Sequence, residues 1–117
     1  NTMKTGVLIT DYVIGSGAEP KLGSAVKITY EGMFPDGKVF DKNGSRKKPL
    51  KFRIGSGQVI RGLDLGMDKM RVGGSREIVI PSALGYGKEG IGDIPGNQVL
   101  IFRITLIGMD KKSLSKK

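Results

Sequence analysis

Residues 59–70 read "VIRGLDLGMDKM". Val59, Leu63, Met67 and Met70 recur at i, i+4, i+8 and i+11, and that spacing predicts a helix over 59–70. Gly62 and Gly66 lie on the same stripe, each costing about 1 kcal/mol relative to alanine inside a helix. Glycine is tolerable there if a sheet must approach the helix backbone closely. "GG" at 73–74 stops the segment. No other stretch reads as helix, so the fold class turns on what surrounds this one.

Working outward, the flanking segments read as strands. In "AVKITYEGMF" (25–34), Val26, Ile28 and Tyr30 alternate with Lys27, Thr29 and Glu31, the period-two signature of a half-buried strand. "PDG" at 35–37 is a turn, with Pro35 presetting φ and Gly37 giving a permissive exit. "VLITDYVI" (7–14), "KVFD" (38–41), "PLKFRI" (49–54), "SREIVI" (75–80) and "QVLIFRITLI" (98–107) supply further strands, with a loop at "KNGSRKK". In the last strand Arg103 and Thr105 mark the wet face, while Leu100, Phe102, Ile104 and Leu106 share the other. One helix with several antiparallel strands is α+β, a curved sheet packed on one short helix. That arrangement leaves a cavity at one end of the helix.

The roof of that cavity is expected from "PSALGYGKEGIGDIPGN" (81–97), which joins the last two strands. Structureless connections beyond about 12–15 residues are uncommon in compact domains and are usually functional or disordered. Disorder fits poorly, because Leu84, Tyr86, Ile91 and Ile94 are residues that solvated linkers avoid. Tyr86, amid five loop glycines, has no sheet or helix to fill. "GYGKEG" satisfies G-x-G-x-x-G, but no helix opens after it, so a dinucleotide site is excluded.

The 117 residues make one domain, expected to span 1–110, followed by a basic tail at 111–117 expected to be disordered. There is no histidine and no cysteine, which removes Ser-His-Asp and Cys-His chemistry, the usual imidazole base, disulfides and structural zinc. Asp64 and Asp68 form the only i,i+4 acidic pair in the expected helix and read as solvated surface; no metal and no cofactor is expected. Any enzyme built from this inventory needs little proton transfer. No stretch approaches the roughly 18 apolar residues of a membrane span, and there is no signal-peptide core. The chain starts at Asn1 rather than methionine, consistent with an excised domain, and a cytoplasmic or nuclear location is the expectation.

The formal charge is +9 and unevenly spread. "KNGSRKKPLKFR" (42–53) holds Lys42, Arg46, Lys47, Lys48, Lys51 and Arg53 with no acid, and the tail "KKSLSKK" adds four lysines. Such a run reads first as a solvated face and second as a polyanion contact, with nucleic acid or an acidic protein tract as partner.

"VKITYEGMFPDGKVFD" (26–41), "KPLKFRIGSGQVIRGLDLGMDKMRVGG" (48–74), "IVIPSALGYG" (78–87) and "LIFRITLI" (100–107) together resemble the FKBP-type peptidyl-prolyl cis-trans isomerases, in order and over nearly the whole chain. The resemblance implies a five-stranded antiparallel sheet wrapped around a short helix, with an apolar pocket between them. It puts Tyr30, Phe40, Asp41, Arg46, Phe52 and Val59 at or beside that pocket, with Ile60, Leu63, Tyr86, Ile94 and Phe102. It implies that Tyr86 offers its hydroxyl to a substrate carbonyl and that the Ile60 N–H is a second donor. Asp41, next to Phe40, would face the bound ring or its amide, and Ile94 would be the apolar contact of the flap 81–97. Without the resemblance, Tyr30, Phe52 and Phe102 read as core aromatics and Asp41 as a turn residue.

The implied activity is acceleration of rotation about Xaa–Pro bonds, assisting protein folding, with proline-containing peptides or proteins as partners. Macrolides of the tacrolimus and rapamycin type are implied as ligands, and a monomer with no membrane contact is expected. Leu63 stands where macrolide-binding relatives commonly carry tryptophan, and Leu50 where a wall residue is often aromatic. The flap reads "IPGN" where a Pro-Pro pair is common. These departures imply weaker macrolide binding. Two other readings stand beside the isomerase: a proline-segment binding module with little catalysis, and a basic protein associated with nucleic acid or chromatin.

Overall fold

A computed structural model describes residues 6–109. The tail at 111–117 lies outside the described residues. Six strands and one short helix follow in the order β1 (Leu8–Val13), β2 (Ala25–Met33), β3 (Val39–Asn43), β4 (Leu50–Arg53), α1 (Arg61–Gly66), β5 (Ser75–Ile80) and β6 (Leu100–Met109). All pairings are antiparallel, and the sheet runs β1-β5-β6-β2-β3, with β4 also on β2.

The resemblance implies five strands, whereas the structure has the six segments read from the residues, because one column of the sheet is broken. β3 pairs with Tyr30–Met33 and β4 with Ala25–Ile28, so both lie along the same side of the long strand β2. Between them residues 44–49 leave the sheet. Pro49 has no N–H to give a ladder, and the Asn43 side chain closes the excursion by donating from Nδ2 to the Lys48 carbonyl at 3.0 Å.

Burial follows the alternation. In β6, Leu100, Phe102, Ile104 and Leu106 are buried while Arg103 is exposed. In β2, Val26 and Ile28 are fully buried and Tyr30 partly so. Across the outer face one register row runs Thr10, Glu77, Arg103, Glu31, Lys42, and within it Arg103 Nε pairs with Glu77 Oε1 at 3.1 Å.

The helix is shorter than its apolar spacing suggests. Regular α-helix ends at Gly66, and 67–70 continues in tighter turns, with Met67 N–H to Asp64 O at 3.3 Å and Met70 N–H to Met67 O at 3.0 Å. Lys69, at φ 60°, ends the run. The stripe survives the change of geometry: Leu63, Met67 and Met70 are all buried. Gly62 and Gly66 let α1 lie directly on β5. A Cβ on Gly66 would stand 2.5 Å from Ile78 Cδ1, and one on Gly62 would collide with Ile80. No rearrangement of a flexible tip relieves both at once.

One buried charge joins the helix to the sheet. Arg76 points inward with Ile78 and Ile80 and is 6% exposed. Its Nε donates to Asp11 Oδ1 on β1 at 2.6 Å, and its Nη1 donates to the carbonyls of Gly66 at 2.6 Å and Asp68 at 2.8 Å. A cation on carbonyls left open at a helix C-terminus satisfies both the hydrogen bonds and the local charge.

Candidate active site

At the other end of α1 a cavity of about 450 Å³ opens between the inner face of the sheet and the first helical turn. Tyr30 from β2, Asp41 from β3, Leu50 from β4 and Phe102 from β6 form its sheet side. Val59, Ile60 and Leu63 form the helix side, and Tyr86 enters from the loop 81–97. Gly57 and Gln58 complete the rim.

The aromatic wall is built in register. Gly32 lies opposite both Phe102 and Asp41 in the ladders, and having no side chain it leaves room for two rings. A Cβ there would stand 2.9 Å from Phe102 Cε2 and 2.9 Å from Phe40 Cζ. Phe102 lies 6.0 Å from Tyr30 and meets Phe40 edge-on at 5.7 Å, while Phe40 stacks on Phe34 at 5.0 Å. Such pairs add modest energy beyond burial but hold each ring at one angle.

Beside Gln58 on the rim, four polar groups belong to this cavity. The Tyr30 hydroxyl donates to Asp41 Oδ2 at 2.9 Å, which orients the carboxylate. Burial first, then this bond and the Asp41 charge, push the Tyr30 phenol up to about 12. Burial, and secondarily Asp41, also raise the Tyr86 phenol. Both therefore stay protonated donors at neutral pH. Among the described residues the Tyr86 hydroxyl has no hydrogen-bond partner, and neither has the Ile60 N–H, although the Ile60 carbonyl accepts from Leu63 and Asp64 at 3.1 and 3.2 Å. Two free donors at the mouth of an aromatic slot can receive a carbonyl oxygen.

The loop 81–97 is ordered by its own hydrogen bonds. A 3₁₀ turn at Ser82–Leu84 opens it, Gly87 N–H donates to Ser82 O at 2.8 Å, and Ile91 and Ile94 exchange backbone bonds at 3.0 and 2.8 Å. Leu84, Tyr86 and Ile94 pack against the core, whereas Ile91 is exposed. That is what the apolar residues of this loop do: they pin it beside the cavity.

Of the residues named from the sequence, Tyr30, Asp41, Val59, Ile60, Leu63, Tyr86 and Phe102 line the cavity. Phe40 stands behind Phe102, Phe52 is buried in the core, Ile94 packs on the core from the loop, and Arg46 is exposed on the 44–49 excursion. Gly57 and Gln58 were missed. The 55–58 loop is held by Asp64 Oδ1, which accepts from Gly55 N–H at 2.9 Å, and by Gln58 Oε1, which accepts from Arg53 N–H at 2.8 Å. Asp64 is thus an anchor rather than a solvated acid. The adjacency of Gln58 to the Val59–Ile60 pair was the one signal available.

A second cavity, of about 460 Å³, lies beside the C-terminal half of the helical segment, between Pro20, Leu22, Ile54 and Met67. Its rim carries Glu19, Lys21, Asp64, Asp68 and Lys69, and no aromatic residue lines it. It lacks the paired donors and ring wall of the first. Among the described residues no group of three or more acids could hold a metal ion, and no helix is long and apolar enough to cross a membrane.

An antiparallel sheet closed over a short helix, with an aromatic slot at the helix N-terminus, is a defined class of domain. Residues 17–107 match the sequence model of the FKBP-type peptidyl-prolyl cis-trans isomerases, and the chain belongs to that family. It is 47% identical over 107 residues to FK506-binding protein 3 of Eremothecium gossypii, covering 92% of this chain and 25% of that protein. It is 44% identical to FK506-binding protein 4 of Saccharomyces cerevisiae, over 92% of this chain and 27% of that one. The chain thus spans about a quarter of the length of these curated relatives. Among solved structures, AtFKBP13 aligns with a TM-score of 0.85 at 40% identity, covering 93% of this chain and 97% of that one. FkpA of Escherichia coli aligns with a TM-score of 0.85 at 36% identity, over 94% of this chain and 51% of that one.

Proposed function

We propose that the described fold accelerates cis–trans rotation about Xaa–Pro bonds in peptides and partly folded proteins, in the cavity bounded by Tyr30, Asp41, Ile60, Leu63, Tyr86 and Phe102. The observation that carries this reading is the pair of unpartnered donors, the Tyr86 hydroxyl and the Ile60 N–H, beside an aromatic wall. The names of the relatives, FK506-binding protein and peptidyl-prolyl cis-trans isomerase, support it.

The chemistry suits the inventory. Rotation must cross about 18–20 kcal/mol, most of it lost amide resonance. No bond is made, and no proton has to leave. The twisted amide is less polar than the planar one, because the nitrogen lone pair no longer feeds the carbonyl. A dry ring-lined slot therefore disfavours the planar ground state more than the transition state, and preorganised donors hold the twisted form. An acceleration of about 10³–10⁵ requires only roughly 4–7 kcal/mol. In this scheme Val59 and Ile60 meet the proline ring, Tyr86 and the Ile60 N–H hold carbonyls, and Asp41, oriented by Tyr30, faces the amide.

Macrolides of the FK506 type are proposed as ligands of the same slot, bound weakly because Leu63 offers less contact than an aromatic floor. The direct test uses a protein whose refolding waits on a prolyl step, a phase of about 10–100 s. Catalytic amounts of the chain should shorten that phase, and rapamycin should restore it. A slow phase unchanged by stoichiometric chain would refute the activity and leave a proline-binding module.

A further inference from the structure

Resting on the isomerase reading, we propose that the excursion between β3 and β4 is an anion-binding extension of the same cavity. The preferred substrates are then Xaa–Pro segments flanked by acidic side chains.

The topology makes the link. Asp41 and Leu50 both line the cavity, and the chain between them holds the last two residues of β3 and then the excursion 44–49 that leaves the sheet. The excursion is therefore separated by two residues from one cavity-lining residue and ends directly at another. Its shape is set by its own side chains: Asn43 Nδ2 donates to Lys48 O at 3.0 Å, Ser45 N–H donates to Asn43 Oδ1 at 3.0 Å, and Lys48 N–H donates to Ser45 Oγ at 3.1 Å. This closed loop carries Arg46, Lys47 and Lys48 at its tip, all exposed.

These charges are unspent. The two ion pairs among the described residues are Arg76 with Asp11 and Arg103 with Glu77, both on other strands. No acid occurs anywhere in 42–53. The cavity's own charged lining residue is Asp41, one of whose oxygens is already taken by Tyr30. A proline segment seated in the slot therefore passes a fixed positive loop on the β3–β4 side. Single exposed ion pairs are weak, but several cations held in one shape raise local concentration and on-rate for an acidic ligand.

An acidic peptide fits better than a nucleic acid. Single strands are bound along a basic groove with exposed aromatic rings on which bases stack. Among the described residues Tyr12 is the exposed aromatic, and it lies on β1, the opposite edge of the sheet from β3 and β4.

The test is a ratio. Exchange NMR would give kcat/KM for peptides with one Ala-Pro core and either Glu or Gln placed on each side in turn, at about 20 mM and about 500 mM salt. The Glu-to-Gln ratio should reach roughly three to ten for at least one side at low salt. It should fall toward unity at high salt and in a Lys47→Gln/Lys48→Gln variant. A ratio of one on both sides at low salt, with the Gln peptide still turned over, would overturn this inference and leave the isomerase standing. No turnover of any peptide would remove both. A single-stranded oligonucleotide that binds the loop more tightly than the Glu peptide, without inhibiting catalysis, would overturn it in favour of a nucleic-acid surface.

Discussion

The two ends of the one helical segment treat their polar groups in opposite ways. At the C-terminal end, Arg76 satisfies two backbone carbonyls and Asp11 while almost fully buried. At the N-terminal end, the Ile60 N–H and the Tyr86 hydroxyl are left without partners beside an open slot. Unsatisfied polar groups cost stability when water is excluded, so folds normally pair them. Groups kept free at the edge of a cavity are available to a ligand. The first end has its polar groups paired and buried, and the second leaves two donors open beside a cavity.

The contrast can be broken from the structural side. Arg76→Met removes the cation and strands Asp11 and two carbonyls, which should cost about 2–4 kcal/mol. Asp11 keeps some solvent, so stranding it costs less than stranding a fully buried carboxylate. Thermal unfolding should show a midpoint lower by roughly 10–20 °C, while turnover per folded molecule at low temperature stays close to that of the parent. A variant as stable as the parent would mean that the buried pair is dispensable.

From the other side, Asp41→Val should lower kcat/KM by about tenfold or more, and Tyr86→Phe by about two- to tenfold, the worth of one hydrogen bond. Neither should move the unfolding midpoint by more than a few degrees. Parent-like turnover in both would sink the assignment of the cavity. Leu63→Trp probes the floor between the two ends: rapamycin should bind roughly two- to tenfold tighter by calorimetry. An unchanged Kd would show that Leu63 is not what the macrolide meets.

The smallest effect expected is that of pH. With no histidine or cysteine, and with both cavity phenols raised, turnover should stay flat between about pH 6 and 9. Tyr30 holds its proton more tightly folded than unfolded, so its share of stability is whole below pH 10.0 and is lost as pH rises toward about 12. A bell-shaped profile near neutrality would point to a titrating group outside this site.

Much of this was readable beforehand, and the exceptions share a cause. Alternation placed the inner faces of β2 and β6, and the two stripe glycines anticipated a close contact with the sheet, which the structure makes through β5, because both are local patterns. The break between β3 and β4 was readable as the loop "KNGSRKK", but its closure was not, since that depends on the Asn43 side chain reaching Lys48. The helix length was overestimated because apolar spacing alone cannot tell α-helix from the tighter turns of 67–70. Arg76 did carry a signal: it shares the phase of Ile78 and Ile80, which puts a charge inside. Within the cavity, Tyr86 stood out as a ring without an element to fill, whereas Gly57 and Gln58 depend on how Asp64 folds back the 55–58 loop.

The most direct measurement is two-dimensional exchange NMR on one short Xaa–Pro peptide. It would compare the wild-type chain with an Asp41→Val/Tyr86→Phe double variant whose fold is verified by its amide spectrum. Cis–trans cross-peaks are expected with catalytic wild type, and their loss is expected in the folded double variant. Cross-peaks of equal strength with both proteins would contradict this, because catalysis would then not reside in the open end of the helix.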